Sequence, residues 1–280
     1  MASVVNTNIM SLNAQNSLSR TNSSLQTAME RLSSGLRVNS AKDDAAGLAI
    51  SNRMTSQIRG MTVAQRNAND GISVAQVAEG SMQTITDTLQ RMRDLSVQAA
   101  NDGGLSGGDK DKLATEFNSL REELDRIIKN TDYNGKKVLN GSIANAVFQV
   151  GYSTAADNQI SITIGAIAGS TGMSAVLASG TISIGSAGNA LTAIEEIDNA
   201  IAMIDTKRSE LGAIQNRFSA TIDNLSNAIE NQSAARSRIV DADFAVETAN
   251  LSRSQILQQA GTSMLAQANQ APQSVLSLLG

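Results

Sequence analysis

Hydrophobic residues recur along most of the chain at alternating intervals of three and four, the pattern of α-helices that pack side by side. Leu25, Met29, Leu32 and Leu36 follow this spacing near the N-terminus. The same period runs through residues 45–100 and predicts one continuous helix, about 84 Å long at 1.5 Å per residue. Because a helix of that length exceeds the width of a small domain, it needs packing partners along its whole length.

Two columns of this long helix are apolar. They contain Met54, Met61, Ala68, Ala75, Met82 and Leu89 in one column and Ile50, Ala64, Ala78, Ile85, Met92 and Ala99 in the other. Residues 194–239 keep the same period, which predicts the partner helix of a coiled coil. A Gly-rich turn at residues 101–109 separates the long helix from a shorter one that ends near Asn130.

Between these helical parts lies a block of different character. The 57 residues between Lys137 and Glu195 carry a single charge, Asp157. Ile160, Ile162 and Ile164 alternate with polar residues, as do Phe148 with Val150 and Ile182 with Ile184, and the turn dipeptides Asn134–Gly135 and Asn140–Gly141 precede them. The predicted fold is mainly α: long antiparallel helices from both ends of the chain form a coiled-coil rod around a small β-rich central region.

The two ends of the chain have weaker patterns. Their predicted apolar seam contains Val5, Ile9, Leu12, Leu257, Met264, Val275 and Leu278, with alanines between them in the C-terminal part. Alanine contributes only a fraction of the ~1.5–3 kcal/mol of a buried leucine. We therefore expect the termini to be ordered only when they pack against something. Asn39 or Ser40 is expected to cap the helix that follows the first one, with Asp43 and Asp44 at its positive end.

Composition removes most classes of chemistry. The chain lacks His and Cys, so the commonest general base, metal ligand and thiolate nucleophile are missing. No phosphate-binding glycine motif is present. We expect no enzymatic activity, no metal and no cofactor. A net charge of −4 argues against a nucleic-acid partner, and no apolar run is long enough for a membrane helix. Without a signal peptide, these features alone predict a cytoplasmic protein.

Several long motifs contradict this predicted cytoplasmic location. NTNIMSLNAQNSL, RLSSGLRVNSAKDDAAGLAIS, QRNANDGISVAQVAEG, DTLQRMRDLSVQAAN and the C-terminal ANQAPQSVLSLLG resemble bacterial flagellins, over about residues 1–140 and 190–280. The resemblance implies a secreted filament subunit for swimming motility, exported unfolded through the flagellar type III apparatus. It also implies as partners many copies of itself, filament cap and hook-junction proteins and an export chaperone.

The resemblance also implies an organisation into domains. The terminal segments 1–44 and 241–280 pair as an inner coiled coil, and residues 45–150 with 190–240 form the rod. A small variable insert at residues 151–189 points outward. Filament assembly is expected to use the apolar seam of the two termini defined above.

Host innate immune receptors are further partners implied by the family. A Toll-like receptor patch maps onto Gln90, Arg91, Leu95 and Glu116, and leucines sensed inside host cells map onto Leu276, Leu278 and Leu279. From spacing alone, Arg91 and Asp94 would form an ordinary i, i+3 ion pair. The alternative function is a hook–filament junction protein. An enzyme domain within the insert is a weaker alternative, because the insert is too short and lacks His. A generic coiled-coil module is also weaker, because it would not explain matched motifs at both ends.

Overall fold

The computed structural model describes residues 7–178 and 182–276, with side chains through residue 270. Six α-helices and four short strands are present in these ranges. The helices are α1 (Ile9–Ser34), α2 (Ala45–Ala99), α3 (Gly107–Asn130), α4 (Met173–Leu177), α5 (Ala187–Val240) and α6 (Phe244–Leu276). The strands are β1 (Asp132–Tyr133), β2 (Lys136–Lys137), β3 (Ala146–Gln149) and β4 (Gln159–Ile162). The mainly helical fold with small central strands is confirmed.

The chain divides into two compact units. The terminal unit contains residues 1–58 and 230–280, and the central unit contains residues 59–229. Both α2 and α5 contribute one part of their length to each unit. The terminal unit combines the first and the last part of the chain, and the central unit contains segments of both α2 and α5. Each unit is therefore held together by contacts between distant parts of the sequence.

The core of the central unit confirms the predicted apolar columns. Ala68, Ala75, Met82, Ile85, Leu89 and Met92 of α2 are buried, as are Ile197, Ile204, Leu211 and Phe218 of α5. Phe117 and Leu124 of α3 join them. The helices α2 and α5 are antiparallel, since Gln215 donates to Glu79 at 2.9 Å and Gln65 donates to Ser226 at 3.1 Å. A buried large side chain stabilises by about 1.5–3 kcal/mol, so this unit has a substantial core of its own.

Two short antiparallel pairs follow α3. The pair β1–β2 closes through Asn134 and Gly135, whose φ angles of 49° and 77° are those of a left-handed turn that Asn-Gly favours. The pair β3–β4 aligns Phe148 with Ile160. The prediction of strands at Ile182 and Ile184 is wrong. Both residues are buried without forming a strand, and they line a cleft against Phe117 of α3.

The structure adds one helix that the alternating pattern did not predict. The short helix α4 buries Met173 and Val176 in the same core as the long helices. Gly172 precedes it at a φ of 80°, and a Cβ there would lie 2.7 Å from the backbone nitrogen of Ala200 in α5. This close approach requires glycine and fixes α4 against α5.

A glycine in the middle of α2 carries an aromatic contact. The Phe218 ring of α5 lies so close to Gly71 that a Cβ on Gly71 would be 2.6 Å from its Cζ atom. The opposite partner of the ring is Phe148 of β3, with centroids 5.8 Å apart and an interplanar angle of 89°. In a chain with six aromatic residues, this T-shaped pair joins α2, α5 and the small sheet.

Replacing Gly71 with alanine is expected to destabilise the protein, although alanine is the better helix former. Displacing the Phe218 ring should cost about 1–3 kcal/mol, which exceeds the propensity gain of about 1 kcal/mol. Gly80→Ala is the matched control, because nothing lies within 4 Å of its added Cβ and only the gain remains. Chemical denaturation measures both changes, and a Gly71→Ala protein as stable as the parent would contradict the packing argument.

Candidate functional site: the paired terminal helices

The terminal unit is built on the antiparallel pair of α1 and α6. Asn8 caps α1 by accepting from the Ser11 N–H at 3.1 Å, and its side-chain amide donates to the Ala268 carbonyl at 2.7 Å. Ser11 donates to Asn269 at 2.8 Å, and Gln258 donates to Asn22 at 3.0 Å. These contacts keep one register along the pair.

The last turn of α1 and the link between α5 and α6 are tied together by backbone contacts. Gly35 ends α1 in the left-handed conformation at a φ of 71°. Its carbonyl accepts from the Ala242 N–H, and the Arg37 N–H donates to the Val240 carbonyl at 2.6 Å. Leu36 and Asp241 form an isolated β-bridge. This end of the pair is therefore fixed by the main chain.

The face of α6 that lies against α1 is not the predicted seam. One series of partly or fully buried residues of α6 repeats at intervals of four and three, and Thr248 and Asn250 are partly buried beside it. The series contains Glu247, Leu251, Ser254, Gln258, Gly261, Leu265 and Ala268. Gly261 lies against Leu18, whose Cδ1 would be 3.2 Å from a Cβ at this position. The Arg31 guanidinium approaches Glu247 to 3.8 Å. Polar and small residues therefore form most of the inner face.

The residues of the predicted seam point outward instead. Ile9 is 61% exposed, Leu12 50%, Leu257 51% and Met264 62%. A second heptad of α6, richer in small and polar residues, lies against α1 instead. Val5 and Leu278 lie outside the described residues, and so does the Val275 side chain.

The sequence pattern did not identify the inner face, because the heptad positions with the largest apolar residues were taken as the packing face. Both heptads of α6 have the same period, and the inner one mixes Leu251 and Leu265 with polar and small residues. One signal could have identified the inner face: Glu247 and Arg31 are opposite charges on the two helices that the antiparallel pairing brings together. Charged pairs at such positions set register in coiled coils.

Large apolar side chains are concentrated on the outside of this pair. In the described part of α1 and α6, the exposed ones are Ile9, Met10, Leu12, Met29, Phe244, Val246, Ile256, Leu257 and Met264. The buried apolar residues of the same two helices are Ala28 and Ala268. Exposed apolar surface of this extent on one element marks an interaction site.

The receptor patch predicted from the family resemblance lies in the central unit. Arg91 donates to Glu116 through Nε at 3.0 Å and Nη2 at 2.6 Å, and both side chains are about half exposed. The expected Arg91–Asp94 ion pair is wrong, because the guanidinium reaches across to α3. Gln90 is exposed, whereas Leu95 is only 1% exposed. Leu276 has no described side chain, and Leu278 with Leu279 lies outside the described residues.

The segment between α1 and α2 shows a second correction. Asp44 accepts from the Gly47 N–H at 2.8 Å in the geometry of an N-cap, so the predicted caps Asn39 and Ser40 do not cap α2. Asp43 instead accepts from the Ser40 N–H at 2.9 Å and from the Ser40 hydroxyl at 3.0 Å. These hydrogen bonds, the backbone one first, hold the pKa of Asp43 below its ordinary value of 3.8.

Two further observations concern the chemistry of the chain. Among the described residues, no three His, Cys, Asp or Glu side chains form a group suited to a metal ion. No helix in the same ranges is long and apolar enough to cross a bilayer.

Paired terminal helices with outward apolar surface and a second unit with its own core are features of a structural protein rather than of a catalytic one. Residues 5–144 match the family model for the bacterial flagellin N-terminal helical region, and residues 194–279 match the one for the C-terminal helical region. The chain belongs to the bacterial flagellin family. It is a non-enzymatic structural subunit of the extracellular flagellar filament, which serves motility.

Relatives match over their full length. Flagellin D of Vibrio anguillarum is 38% identical over 378 aligned positions that cover 100% of both chains. Polar flagellin B/D of Vibrio parahaemolyticus is 39% identical over 379 positions with the same coverage. Because these alignments are longer than the 280 residues here, the relatives carry segments that this chain lacks. A crystal structure of Bacillus cereus flagellin is 27% identical, covers 61% of this chain and 94% of its own, and gives a TM-score of 0.47.

The pKa of Asp43 gives a prediction for this unit. A lowered folded-state pKa means that the contribution of Asp43 to stability is present above its unfolded value and is lost as the pH falls through the folded value. Ser40→Ala removes the hydroxyl donor and should raise the pKa of Asp43 towards 3.8. Carboxyl resonances in an NMR titration measure this shift. An unchanged titration of Asp43 would contradict the assignment.

Proposed function

We propose that the subunit polymerises through the outer apolar face of α1 and α6, with Ile9, Leu12, Leu257 and Met264 as its described contact residues. Val5, Val275 and Leu278 complete the proposed set. The observation that carries the proposal is the exposure of most large apolar residues of this pair in the described residues, while polar and small residues form most of the inner face of α6. Membership of a self-assembling family supports a second copy as the occupant.

The free energy expected from covering these exposed apolar residues supports this assignment. Fully burying one Leu, Ile or Met side chain contributes roughly 1.5–3 kcal/mol. Because these residues are about half exposed, covering several of them by neighbouring copies should contribute several kcal/mol per subunit. An interface that repeats in one direction without closing produces a helical polymer.

The same proposal includes other proteins of the flagellum as partners of the subunit. Filament cap and hook-junction proteins would meet the subunit at the two ends of the filament, and an export chaperone would cover the apolar termini before export. The exposed apolar face of α1 and α6 supports such a need for cover. The hook–filament junction function is not retained, because the full-length relatives are flagellins.

Removal of the C-terminal partner should separate folding from assembly. A chain without residues 241–280 should keep the core of the central unit and fail to polymerise, since α6 with its apolar face is removed and α1 loses its partner. Circular dichroism follows folding, and electron microscopy after seeding follows assembly. In the same assays, Leu257→Gln with Met264→Gln should raise the critical concentration about tenfold or more, as ~1.4 kcal/mol corresponds to a factor of ten.

Ser263→Gln is the matched control for the double variant. Ser263 is exposed and adjacent to Met264, so the same side chain is introduced without removing apolar surface. Filaments of the truncated chain, or normal assembly of the double variant, would show that the proposed face is wrong.

We propose, second, that a Toll-like receptor contacts the central unit at Gln90, Arg91 and Glu116. The exposed Arg91–Glu116 pair supports this, because it presents a rigid charged surface made from two helices. Leu95 belongs to the core beneath and would position the patch without touching a receptor. The proposed intracellular recognition of Leu276, Leu278 and Leu279 rests on the family resemblance.

Arg91→Ala should abolish receptor signalling without preventing filament assembly, because it removes exposed charge and leaves the core intact. A receptor-reporter assay on dissociated subunits measures the effect. Arg93→Ala is the matched control, since Arg93 lies two residues away and pairs with Asp198 of α5 at 2.7 Å. Equal signalling by the Arg91→Ala protein and the parent would refute the patch.

A further inference from the structure

A polar groove runs between α1 and α6 within the terminal unit. Its volume is about 510 Å³, and serine and threonine hydroxyls line much of it. We name it the arginine groove after three of its lining residues, Arg20, Arg31 and Arg253. Glu247 is the one carboxylate in its lining, so the groove carries excess positive charge.

This charge is not balanced within the subunit. Glu247 lies 3.8 Å from the Nη1 atom of Arg31, while the Nε atom of Arg31 is buried and has no hydrogen-bond partner. Arg253 donates to the neutral side chain of Asn250 at 3.2 Å. Within the described residues, neither Arg253 nor Arg20 has a carboxylate partner.

The groove lies next to apolar residues that the proposed function covers with neighbouring copies, so assembly would also remove water from its arginines. Leu257 lines the groove and Ile256 adjoins it, and both are more than half exposed. If neighbouring copies cover these residues, as the proposed function requires, the guanidinium groups lose water at the same time. Desolvated charges are costly unless an opposite charge is supplied, so the covering copy must bring a carboxylate.

We propose that the arginine groove of one subunit receives the Asp241 carboxylate of a second copy. Asp241 is exposed on the link between α5 and α6, and its side chain has no hydrogen bond or ion pair within the described residues. Its backbone is fixed by the bridge to Leu36 and by its N–H bond to the Ser237 carbonyl at 2.9 Å. The carboxylate is therefore presented at a defined place.

The link between α5 and α6 offers two carboxylates, Asp241 and Asp243. Asp243 is already used, because it accepts from the backbone N–H groups of Ala245 and Val246 at the start of α6. Asp241 lies outside the groove, so groove and carboxylate on successive copies can form a contact that repeats without closing.

Two single charge reversals test this pairing. Arg253→Glu should place a negative charge in the groove, and Asp241→Arg should place a positive charge on the link. Each variant alone should raise the critical concentration for seeded assembly about tenfold or more, as expected for a like-charge contact. An equimolar mixture should assemble again, because each variant's groove then matches the other's link. Sedimentation and electron microscopy measure polymer, and circular dichroism confirms that both subunits are folded.

Arg53→Glu is the control, since it makes the same charge change at an exposed position of α2 outside the groove. It should assemble with the critical concentration of the parent. Normal assembly of Arg253→Glu, or a mixture that fails to recover, would overturn the pairing. The two sets of variants separate a failure of this pairing from a failure of the proposed function. If Leu257→Gln with Met264→Gln blocks assembly while Arg253→Glu does not, the apolar face is supported and the groove contact is wrong.

Discussion

The inverted packing of α1 on α6 is the constraint on which the rest of the molecule depends. Close approach at Leu18 and Gly261 and polar contacts such as Ser11–Asn269 use the inner face for register. Large apolar residues are thereby left outside. A helix pair normally gains most of its stability by burying those residues. This pair buries only part of its large apolar surface within the subunit, and the exposed part is the surface that we propose neighbouring copies cover.

The central unit has the opposite arrangement. Its α2 and α5 segments bury Met82, Leu89, Ile204 and Phe218, and the residues around α4 add to the same core. Folding there does not require a second copy, because the apolar columns face each other within the chain. Filament formation can then be confined to surfaces that the folded unit leaves free. Under the proposed function, the central unit would supply a stable scaffold and the terminal unit would supply the surface for association.

The sequence predicts an element well where large apolar residues mark the face that packs within the chain. The spacing of residues such as Met82 and Leu89 predicted α2 to within one residue at each end, since burial selects large side chains at heptad positions. The helix α5 ends within one residue of its prediction but begins at Ala187, seven residues before the predicted start. In α6 the same rule chose the wrong face, because Leu257 and Met264 are not buried within the subunit. Sequence periodicity shows that a face is apolar, and it does not show which chain covers that face.

Other errors have equally local causes. Arg91 pairs with Glu116 because tertiary packing places α3 within reach of its long side chain, and this competes with the neighbour at i+3. The Ile182–Ile184 segment alternates like a strand, yet it packs against α3 without a strand partner. Hydrophobic alternation predicts which side chains are buried more reliably than it predicts which backbone groups pair.

A polar inner face also explains how a weak pair can remain specific. A register shift between α1 and α6 would still bury small residues, but it would separate Arg31 from Glu247 and Asn22 from Gln258. Buried or half-buried polar groups without partners are costly, so alternative registers are disfavoured even though the correct one is only modestly stable. Such a pair can keep its correct register before neighbouring copies bind. In a subunit whose outer surface must match the next copy, register determines which apolar residues are presented together.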